Sequence, residues 1–491
     1  MLFAVFALMA GQALSARSNL KARRTIEQAF ASSSDLTYKL TEIDPPVVGT
    51  GTPSGGSTWN LAIDDTPSGY KQVIDGFGGT VTDATVAVIN ELPPHKRSQL
   101  LRELLTKEGA NFKLLRFSIG ASDLSTPPAY DPEEPPAYTY DDNNGEDDPE
   151  LKGFRLRDRG EALAKLLKEM KDIQPEAILL GSPWSAPGWM KLNKALIGLA
   201  EDNSLDPKYN TSYAQYFVKS IEAFKDRGVD VDFFTLQNEP LNSQGDGHIT
   251  MYQSADQAAH LIRDYVGPAL QEVGIDTEIW AYDHNTDNPS YAETVVDIAG
   301  QYVSAVAWHC YAPNLDWTVL TEFKKRNPTR GQYMTECWTS HLTPWYQSSS
   351  NTIGPLQNWA QGTMMRTLGT WPIGSNDTYG PYIPHGCGTC RGLFVADAGT
   401  ATYEYTVDYY MLAQYSRYIP KGAIILDGTG SYSYEGYQGI QSVASINPDS
   451  SLTVVIENTF ANDVNVTVDL KSGDRWCGNV PPQSVVTWLL P

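Results

Sequence analysis

The middle of the chain alternates between short apolar runs and longer segments with apolar residues at helical spacing. The short runs are rich in β-branched and aromatic residues, as buried strands are. They cover residues 73–79, 112–120, 176–184, 233–239, 277–283, 304–311, 331–337 and 364–371. The clearest helical segments between them are 95–106, 160–173, 213–228 and 255–274. Strands that alternate with helices in this way predict an α/β fold, a parallel sheet closed into a (β/α)8 TIM barrel.

The two ends of the chain have a different pattern. Residues 36–67 and 418–491 carry short alternating segments with Pro and Gly between them and no helical period. We predict an antiparallel β-sandwich built from both ends, because chain termini often lie close together. The domain boundaries are then N-terminal strands 25–67, a (β/α)8 barrel 68–415 and a C-terminal β-sandwich domain 416–491. A separate C-terminal module would need a Ser/Gly/Pro linker near 415, and none is present.

The first 24 residues are typical of a secretory leader. Residues 2–10 form an apolar core, Ala13 and Ser15 suit a cleavage site, and a basic run at 21–24 suits further processing. The apolar core is shorter than the ~20 residues that a membrane span needs. We therefore predict a signal peptide and propeptide at 1–24, a secreted extracellular protein, and no membrane insertion.

Charge and aromatic content narrow the range of partners. The formal net charge of the 491-residue chain is −22, and an acidic surface repels phosphate backbones, so we expect no nucleic acid partner. The chain holds 12 Trp and 27 Tyr. These residues either fill a large core or offer flat faces on which sugar rings stack.

The five cysteines are an odd number, so at least one has no partner within the chain. Cys387 and Cys390 lie in a Gly-rich segment, and a disulfide is favoured there over a zinc pair because no second CxxC exists. Whether Cys310 pairs with Cys337 is open from the sequence. The sequons at Asn210, Asn376 and Asn465 are glycosylation candidates.

An acidic segment, DDNNGEDDPE at 141–150, follows the second predicted strand. Its spacing differs from the calcium-loop pattern, which has Gly at the sixth position and Glu six residues further on. The sequence therefore favours a solvated loop.

The candidate chemistry lies where the predicted strands end, because barrel enzymes build their active sites from the carboxyl ends of strands. Glu239 and Glu336 end the fourth and seventh strands, 97 residues apart, and can meet across the barrel mouth. Paired carboxylates suit cleavage of a glycosidic bond, one as acid and the other as nucleophile or base. Asn238, just before Glu239, could hold the sugar 2-hydroxyl. Other polar or aromatic residues near the strand ends are Asp83, Arg116, Trp184, Asp283, His309, Tyr311 and Trp371.

Other interpretations of these residues are open. His309 could be a core histidine, the three aromatics could be plain core, and Arg116 could be a structural ion-pair partner rather than the group that keeps Glu336 ionised. A glycan-binding protein without catalysis would have lost one of the two carboxylates, and both are present. Metal-dependent hydrolysis by His309, Asp283 and His284 lacks an HExxH-type ligand pair. We expect no metal and no cofactor in catalysis.

Six ordered motifs resemble glycoside hydrolase family 30: DGFGGTVTDA, LRFSIGASDLS, SPWSAPGWMK, TLQNEP, WHCY and TEC. The resemblance covers the whole mature chain and implies a barrel with a β-sandwich beside it. It also implies a retaining mechanism with Glu239 as acid/base and Glu336 as nucleophile. The implied substrate-binding residues are Asp83, Trp184, Asn238, His309, Tyr311 and Trp371.

Within that family, GPYIPHGCGTCRG at 380–392 and the acidic, secreted character look most like the fungal endo-β-1,6-glucanases. The expected substrate is therefore a β-1,6-linked glucan, and the expected state is a monomer. Glucosylceramidase is the alternative, since it shares the barrel motifs and would hold the same β-glucosyl unit.

Overall fold

The computed structural model describes residues 26–49, 58–126, 135, 137–242, 247–428 and 439–491. The predicted leader at 1–24 lies outside the described residues. Five strands precede the barrel along the chain: β1 (Gln28–Ser33), β2 (Lys39–Ile43), β3 (Val47–Val48), β4 (Thr58–Asp64) and β5 (Tyr70–Val73).

Eight parallel strands close the barrel that the sequence pattern predicts. They are β6 (Gly76–Val81), β7 (Leu114–Ser118), β8 (Ile178–Ser182), β9 (Phe233–Thr235), β10 (Glu278–Asn285), β11 (Val303–His309), β12 (Gly331–Glu336) and β13 (Gly362–Met365). Each strand pairs with the next along the chain, and β13 pairs with β6 to complete the circle. All eight predicted barrel strands are confirmed, with ends shifted by a few residues.

Helices cover the outside of the barrel. They are α1 (Asp83–Asn90), α2 (Pro94–Leu105), α3 (Arg157–Ile173), α4 (Asn210–Lys225), α5 (Ala255–Leu261), α6 (Gly267–Val273), α7 (Pro289–Ala299), α8 (Thr318–Arg326), α9 (Gln347–Gln357) and α10 (Val407–Ser416). The four predicted helices are confirmed. The one predicted at 255–274 is continuous except that a π-helical turn, Ile262–Val266, joins α5 to α6. No helix among the described residues is long and apolar enough to cross a membrane.

The interior of the barrel changes from apolar to polar along the strand direction. Side chains two residues apart on a strand point to the same side, so Leu114 and Arg116 both face the barrel axis. The lower layer is apolar and contains Leu114, Ile178, Leu180, Phe233, Trp280, Ala305, Ala307, Tyr333 and Met364. One layer higher the strands carry Arg116, Ser182, Thr235, His309 and Thr335, which hydrogen-bond to one another or to Asp283. The sequence thus fills the base of the barrel and leaves its carboxyl end polar.

Nine further strands follow the barrel. A small sheet contains β14 (Gly369–Thr370), β15 (Phe394–Asp397) and β16 (Thr402–Tyr405). The C-terminal strands are β17 (Ile424–Gly428), β18 (Ile440–Ile446), β19 (Leu452–Asn458), β20 (Val464–Leu470), β21 (Arg475–Val480) and β22 (Ser484–Leu490). With β1–β5 they form the sandwich, in the order β2-β1-β22-β19-β18-β17-β4-β20-β21-β3 and with β5 beside β17. Both ends of the chain therefore build this domain, as the alternating pattern predicts.

The sandwich packs directly on the barrel. Val443, Val455 and Val485 of the sandwich belong to the same buried apolar cluster as the barrel helices. The predicted boundary at 68 assigns Tyr70–Val73 to the barrel, whereas β5 pairs with β17 of the sandwich. The barrel itself begins at Gly76.

The acidic segment 141–150 is only in part the solvated loop that the sequence favours, because residues 142–147, 149 and 150 are exposed or half-buried and two residues are not. Asp141 and Asp148 are buried, and the Gly153 amide donates to Asp148 Oδ2 at 2.6 Å. Burial, together with repulsion from Asp148 and Asp142, raises the pKa of Asp141 to about 7. Part of the charge run is therefore folded inward.

The five cysteines form two disulfides and leave one free thiol, and the three glycosylation sequons differ in exposure. Cys387 is bonded to Cys390 as predicted, Cys310 is bonded to Cys337, and Cys477 is the free cysteine among the described residues. Of the sequons, Asn376 is exposed and Asn210 is half-buried at the start of α4. Asn465 is buried within β20, where it pairs with Asn479 of β21, so it is the least accessible of the three candidates.

Candidate active site

A cavity of about 500 Å³ lies at the carboxyl end of the barrel strands, a size typical of small-molecule sites. Both predicted catalytic residues, Glu239 and Glu336, line it. The rest of its described lining is Asp123, Leu241, Asn242, His248, His284, Asn285, Tyr311, Trp338, Arg366, His385, Gly386, Cys387, Thr389 and Cys390. The cavity therefore has paired carboxylates, polar groups and an aromatic wall.

Glu336 is the last residue of β12, and fixed hydrogen-bond donors surround it. Arg116 Nη1 donates to Glu336 Oε2 at 2.6 Å, and Arg366 Nη1 lies 3.2 Å from the same oxygen. Tyr311 donates its hydroxyl to Glu336 Oε1 at 3.0 Å. Only 3% of the Glu336 side chain is exposed. Guanidinium groups keep their charge at every working pH, so this carboxylate has permanent positive partners.

Arg116 organises the floor beneath the cavity. Its side chain is fully buried, and its Nη2 donates to Asn238 Oδ1 at 2.6 Å and to Asp283 Oδ2 at 2.7 Å. The indole of Trp184 lies beneath the guanidinium at 4.8 Å. The floor thus holds Asn238 and Glu336, from opposite sides of the barrel, on one rigid planar group.

Glu239 has partners of a different kind. His309 Nδ1 lies 3.0 Å from Glu239 Oε1, His284 Nδ1 lies 3.6 Å from it, and Asn242 donates to Oε2 at 2.6 Å. Burial alone would raise the pKa of Glu239, but the two imidazoles outweigh it and hold that pKa well below its ordinary value. The Glu239 side chain is 14% exposed, more than that of Glu336.

His309 joins the two halves of the site. Its Nε2 lies 2.9 Å from Asp283 Oδ1, while its Nδ1 faces Glu239. Burial would lower the pKa of His309, yet the carboxylates of Glu336, Asp283 and Glu239 raise it to about 9. Burial would raise the pKa of Asp283, and Arg116 and His309 lower it below the ordinary range instead. His309 is therefore an imidazolium between two carboxylates at neutral and acidic pH.

The backbone at Glu239, and at Tyr282 and Asp283 on the neighbouring strand, adopts the uncommon left-handed conformation. Glu239 has φ +46°, and Tyr282 and Asp283 have φ +79° and +60°. Non-glycine residues in this left-handed region cost on the order of 1–3 kcal/mol, and such residues cluster at functional sites. The Glu239 amide donates to the Asp283 carbonyl at 3.0 Å, so the two unusual turns support each other.

The predicted site residues fall into three groups. The first group lines the cavity and consists of Glu239, Glu336 and Tyr311. The second group forms the layer behind the cavity, where each side chain contacts another member of the group or one of the two glutamates; it consists of Arg116, Trp184, Asn238 and His309. Asp83 and Trp371 lie outside the described cavity lining.

The side chains of Asp83 and Trp371 have partners within the protein, and their contact with substrate stays a prediction. Asp83 begins α1 and accepts from Ser125 at 2.5 Å and from Tyr138 at 3.3 Å, which secures the loop after β7. Trp371 donates its indole N–H to Glu91 at 2.8 Å.

Several cavity residues were absent from the sequence prediction. Arg366 forms an ion pair with Asp123 and reaches Glu336, and Trp338 contributes an aromatic face. The sequence did contain a signal for each of these three residues. Asp123 lies in the motif LRFSIGASDLS, Arg366 lies in the eighth predicted strand, and Trp338 directly follows the motif TEC.

One group of side chains at the site has the composition of a metal site. Ligand atoms of Glu239, His284 and His309 lie within 4.8 Å of one another. Asp283, which the metal-dependent interpretation of the sequence would use as a ligand, instead hydrogen-bonds to Arg116 and to His309. The hydrolytic chemistry available to the paired carboxylates needs no metal ion.

Comparison with known proteins agrees with this geometry over both domains. Residues 74–352 match the glycosyl hydrolase family 30 TIM-barrel domain, and residues 424–488 match the β-sandwich domain of the same family. The solved structure of an endo-β1,6-glucanase superposes with a TM-score of 0.79 at 25% identity and covers 95% of this chain and 99% of that one.

Curated relatives match along the full length. An endo-1,6-β-D-glucanase of Aspergillus fumigatus is 53% identical and one of Trichoderma harzianum is 51% identical, each over 100% of both chains. A putative glucosylceramidase of Caenorhabditis elegans is 26% identical over 82% of this chain and 76% of its own length. With both domains matched and half of all positions shared with full-length relatives, this chain belongs to glycosyl hydrolase family 30.

Proposed function

We propose that the protein is a retaining endo-β-1,6-glucanase. The observation that carries the proposal is the cavity in which Glu239 and Glu336 meet, in a chain half identical to endo-1,6-β-D-glucanases over its whole length. The seventh-strand carboxylate has permanently charged partners and the fourth-strand carboxylate has titratable ones. These partners suit a nucleophile and an acid/base respectively.

In the first step the Glu336 carboxylate attacks the anomeric carbon and forms an ester bond to it. The bond from that carbon to the glycosidic oxygen breaks, and Glu239 passes a proton to the departing oxygen. Glu239 obtains this proton from His309, whose Nδ1 lies 3.0 Å from Glu239 Oε1, when substrate excludes water, and His309 is left neutral. Arg116, Arg366 and Tyr311 contact both carboxylate oxygens of Glu336 and hold them in position.

In the second step Glu239, now a carboxylate, takes a proton from water. The hydroxide equivalent attacks the anomeric carbon, and the ester bond to Glu336 breaks. Two inversions restore the β configuration. Asn238, fixed by Arg116 through its Oδ1, has its amide N–H groups available for the sugar 2-hydroxyl.

The cavity wall supports a glucan as the substrate. Trp338 and Tyr311 offer aromatic faces on which sugar rings stack, and His248 and His385 offer ring nitrogens that hydrogen-bond to hydroxyls. The loop 380–392, closed by the Cys387–Cys390 disulfide, forms part of the same wall. We further propose that the enzyme acts outside the cell as a monomer, in keeping with the predicted leader at 1–24 and the net charge of −22.

Product analysis tests this proposal. We expect β-1,6-glucan to yield a series of short oligosaccharides early in the reaction, while β-1,3-glucan and glucosylceramide remain intact. Release of glucose alone would contradict endo action. Cleavage of glucosylceramide without cleavage of the glucan would contradict the substrate assignment and favour the alternative.

A further inference from the structure

The acidic segment outside the catalytic cavity contains a carboxylate in an unusual environment. Asp141 is fully buried, and neither of its carboxylate oxygens has a hydrogen-bond partner among the described residues. A buried ionised carboxylate is costly unless it is paired or coordinates a metal. In its ionised form Asp141 therefore needs a positively charged partner.

Three side-chain oxygens converge on one small space beside Gly153. A Cβ atom placed on Gly153 would lie 2.9 Å from Asp141 Oδ1, 3.1 Å from Asn143 Oδ1 and 3.4 Å from Asp148 Oδ2. All three are hard oxygen donors, and two belong to carboxylates. Only a glycine at 153 leaves this space open.

The nearby cationic side chains are directed elsewhere. Arg157 Nη2 lies 3.1 Å from Asp142 Oδ2. Lys219 donates to the Leu151 carbonyl at 2.7 Å. Neither is within ion-pair distance of Asp141 in the described structure, so a protein cation does not fill this role.

We propose that Asp141, Asn143 and Asp148 bind a calcium ion. Calcium takes oxygen ligands from carboxylates, side-chain amides, backbone carbonyls and water, with flexible geometry. Asp141 and Asn143 have the two-residue spacing with which calcium loops place successive ligands, although the rest of the segment departs from the EF-hand pattern. The set holds no nitrogen or sulfur ligand that would favour zinc or copper.

The site fastens two loops at the catalytic end of the barrel. The Trp189 indole, in the segment after β8, donates to the Asp141 carbonyl at 2.7 Å, and Ser212 of α4 donates to the Pro149 carbonyl at 3.0 Å. A cation that orders Asp141 and Asp148 therefore also stabilises these contacts. Its role is structural, because it lies outside the lining of the catalytic cavity.

Thermal unfolding with and without calcium tests the proposal. We expect millimolar calcium to raise the Tm of the chelator-treated full-length protein by roughly 3 °C or more, with a smaller effect from magnesium. Asp148→Asn loses a ligand and Gly153→Ala fills the space, so both should lose the calcium response. Glu146→Gln removes an exposed charge from the same loop and should keep it.

Asp141→Asn separates a metal ligand from a merely structural side chain. Without calcium this variant should be at least as stable as the wild type, because a neutral amide replaces a buried carboxylate, yet its Tm should not respond to calcium. Calorimetric titration should give one calcium per wild-type chain and none for Asp148→Asn. No Tm response in the wild type, or an equal response in Asp148→Asn, would overturn the proposal.

This outcome is independent of the proposed activity. Chelation at 25 °C should leave the initial rate on β-1,6-glucan unchanged while it lowers the Tm. A calcium response in a protein that cannot cleave glucan would refute only the proposed function, and the reverse result would refute only the calcium site.

Discussion

The two carboxylates that share the cavity differ in the chemistry of their partners. Glu336 has two guanidinium groups and a tyrosine hydroxyl, whereas Glu239 has two imidazoles and an amide. A guanidinium does not give up its proton at any working pH, but an imidazolium can pass its proton to a neighbouring carboxylate. Glu336 thus has partners of fixed charge, whereas Glu239 lies beside a group that can exchange a proton with it. On this difference rests our proposal that Glu336 is the nucleophile and Glu239 the acid/base.

The largest expected effect follows removal of the nucleophile. Glu336→Gln should lower kcat/KM on β-1,6-glucan by about 10⁴-fold or more, because no ester to the sugar can form. Glu336→Ala with added azide should recover activity and give the α-glucosyl azide. Full activity of Glu336→Gln, with unchanged circular dichroism, would contradict the assignment.

Glu239→Gln should have an effect that depends on the leaving group. We expect about a 10²- to 10⁴-fold loss on glucan, whose departing hydroxyl needs a proton. An aryl β-glucoside with an acidic phenol needs no such proton, so the first step on it should be nearly unaffected. Steady-state and burst kinetics on both substrates measure this ratio. An equal loss on both substrates would contradict Glu239 as the acid/base and favour it as the nucleophile.

Arg366→Lys should have an intermediate effect, because lysine cannot contact Asp123 and Glu336 with the geometry of a guanidinium. Loss of charge-assisted hydrogen bonds predicts about a 10- to 100-fold lower kcat/KM. Arg391→Lys is the matched control, since Arg391 pairs with Asp408 and lies outside the described cavity lining. Equal losses in the two variants would show that Arg366 acts only through stability.

Glu457 extends the comparison to a carboxylate that has no ion-pair partner among the described residues, and its effect is on stability. It is buried in β19 against α9, accepts from Ser350 at 3.0 Å, and its burial raises its pKa to about 7. The folded state therefore favours protonated Glu457. Its stabilising contribution is full below about pH 4.5 and is lost as pH rises through about 7, by about 3 kcal/mol in total.

Glu457→Gln should flatten this dependence. Relative to the variant, the wild type should lose unfolding free energy between pH 4.5 and 7.5, as measured by denaturant titrations at each pH. Parallel curves for the two proteins would contradict a protonated Glu457 in the folded state.

The sequence predicts the fold well because its hydrophobic pattern repeats eight times along the barrel. Each apolar run must be buried, and the helical segments between runs leave few other arrangements. The two ends of the chain show the limit of this reasoning. Tyr70–Val73 has no local signal that distinguishes barrel from sandwich, and only its pairing with β17 assigns it.

The site was predictable where residues end a strand and less so elsewhere. Glu239, Glu336 and Tyr311 follow from strand position, and the structure brings them to one cavity. Asp83 and Trp371 are also near strand ends, but their side chains turn toward Ser125 and Glu91, a choice made by tertiary contacts. The burial of Asp141 likewise depends on loops that are distant in sequence.

Trapping of the covalent intermediate tests the central claim most directly. A 2-deoxy-2-fluoro-β-glucosyl fluoride slows the second step, so the intermediate should accumulate on the enzyme. The account predicts one fluoroglucosyl group per chain, mapped by peptide mass spectrometry to Glu336 and absent from Glu336→Gln. A label on Glu239, or turnover of glucan with inverted configuration and no label, would contradict it.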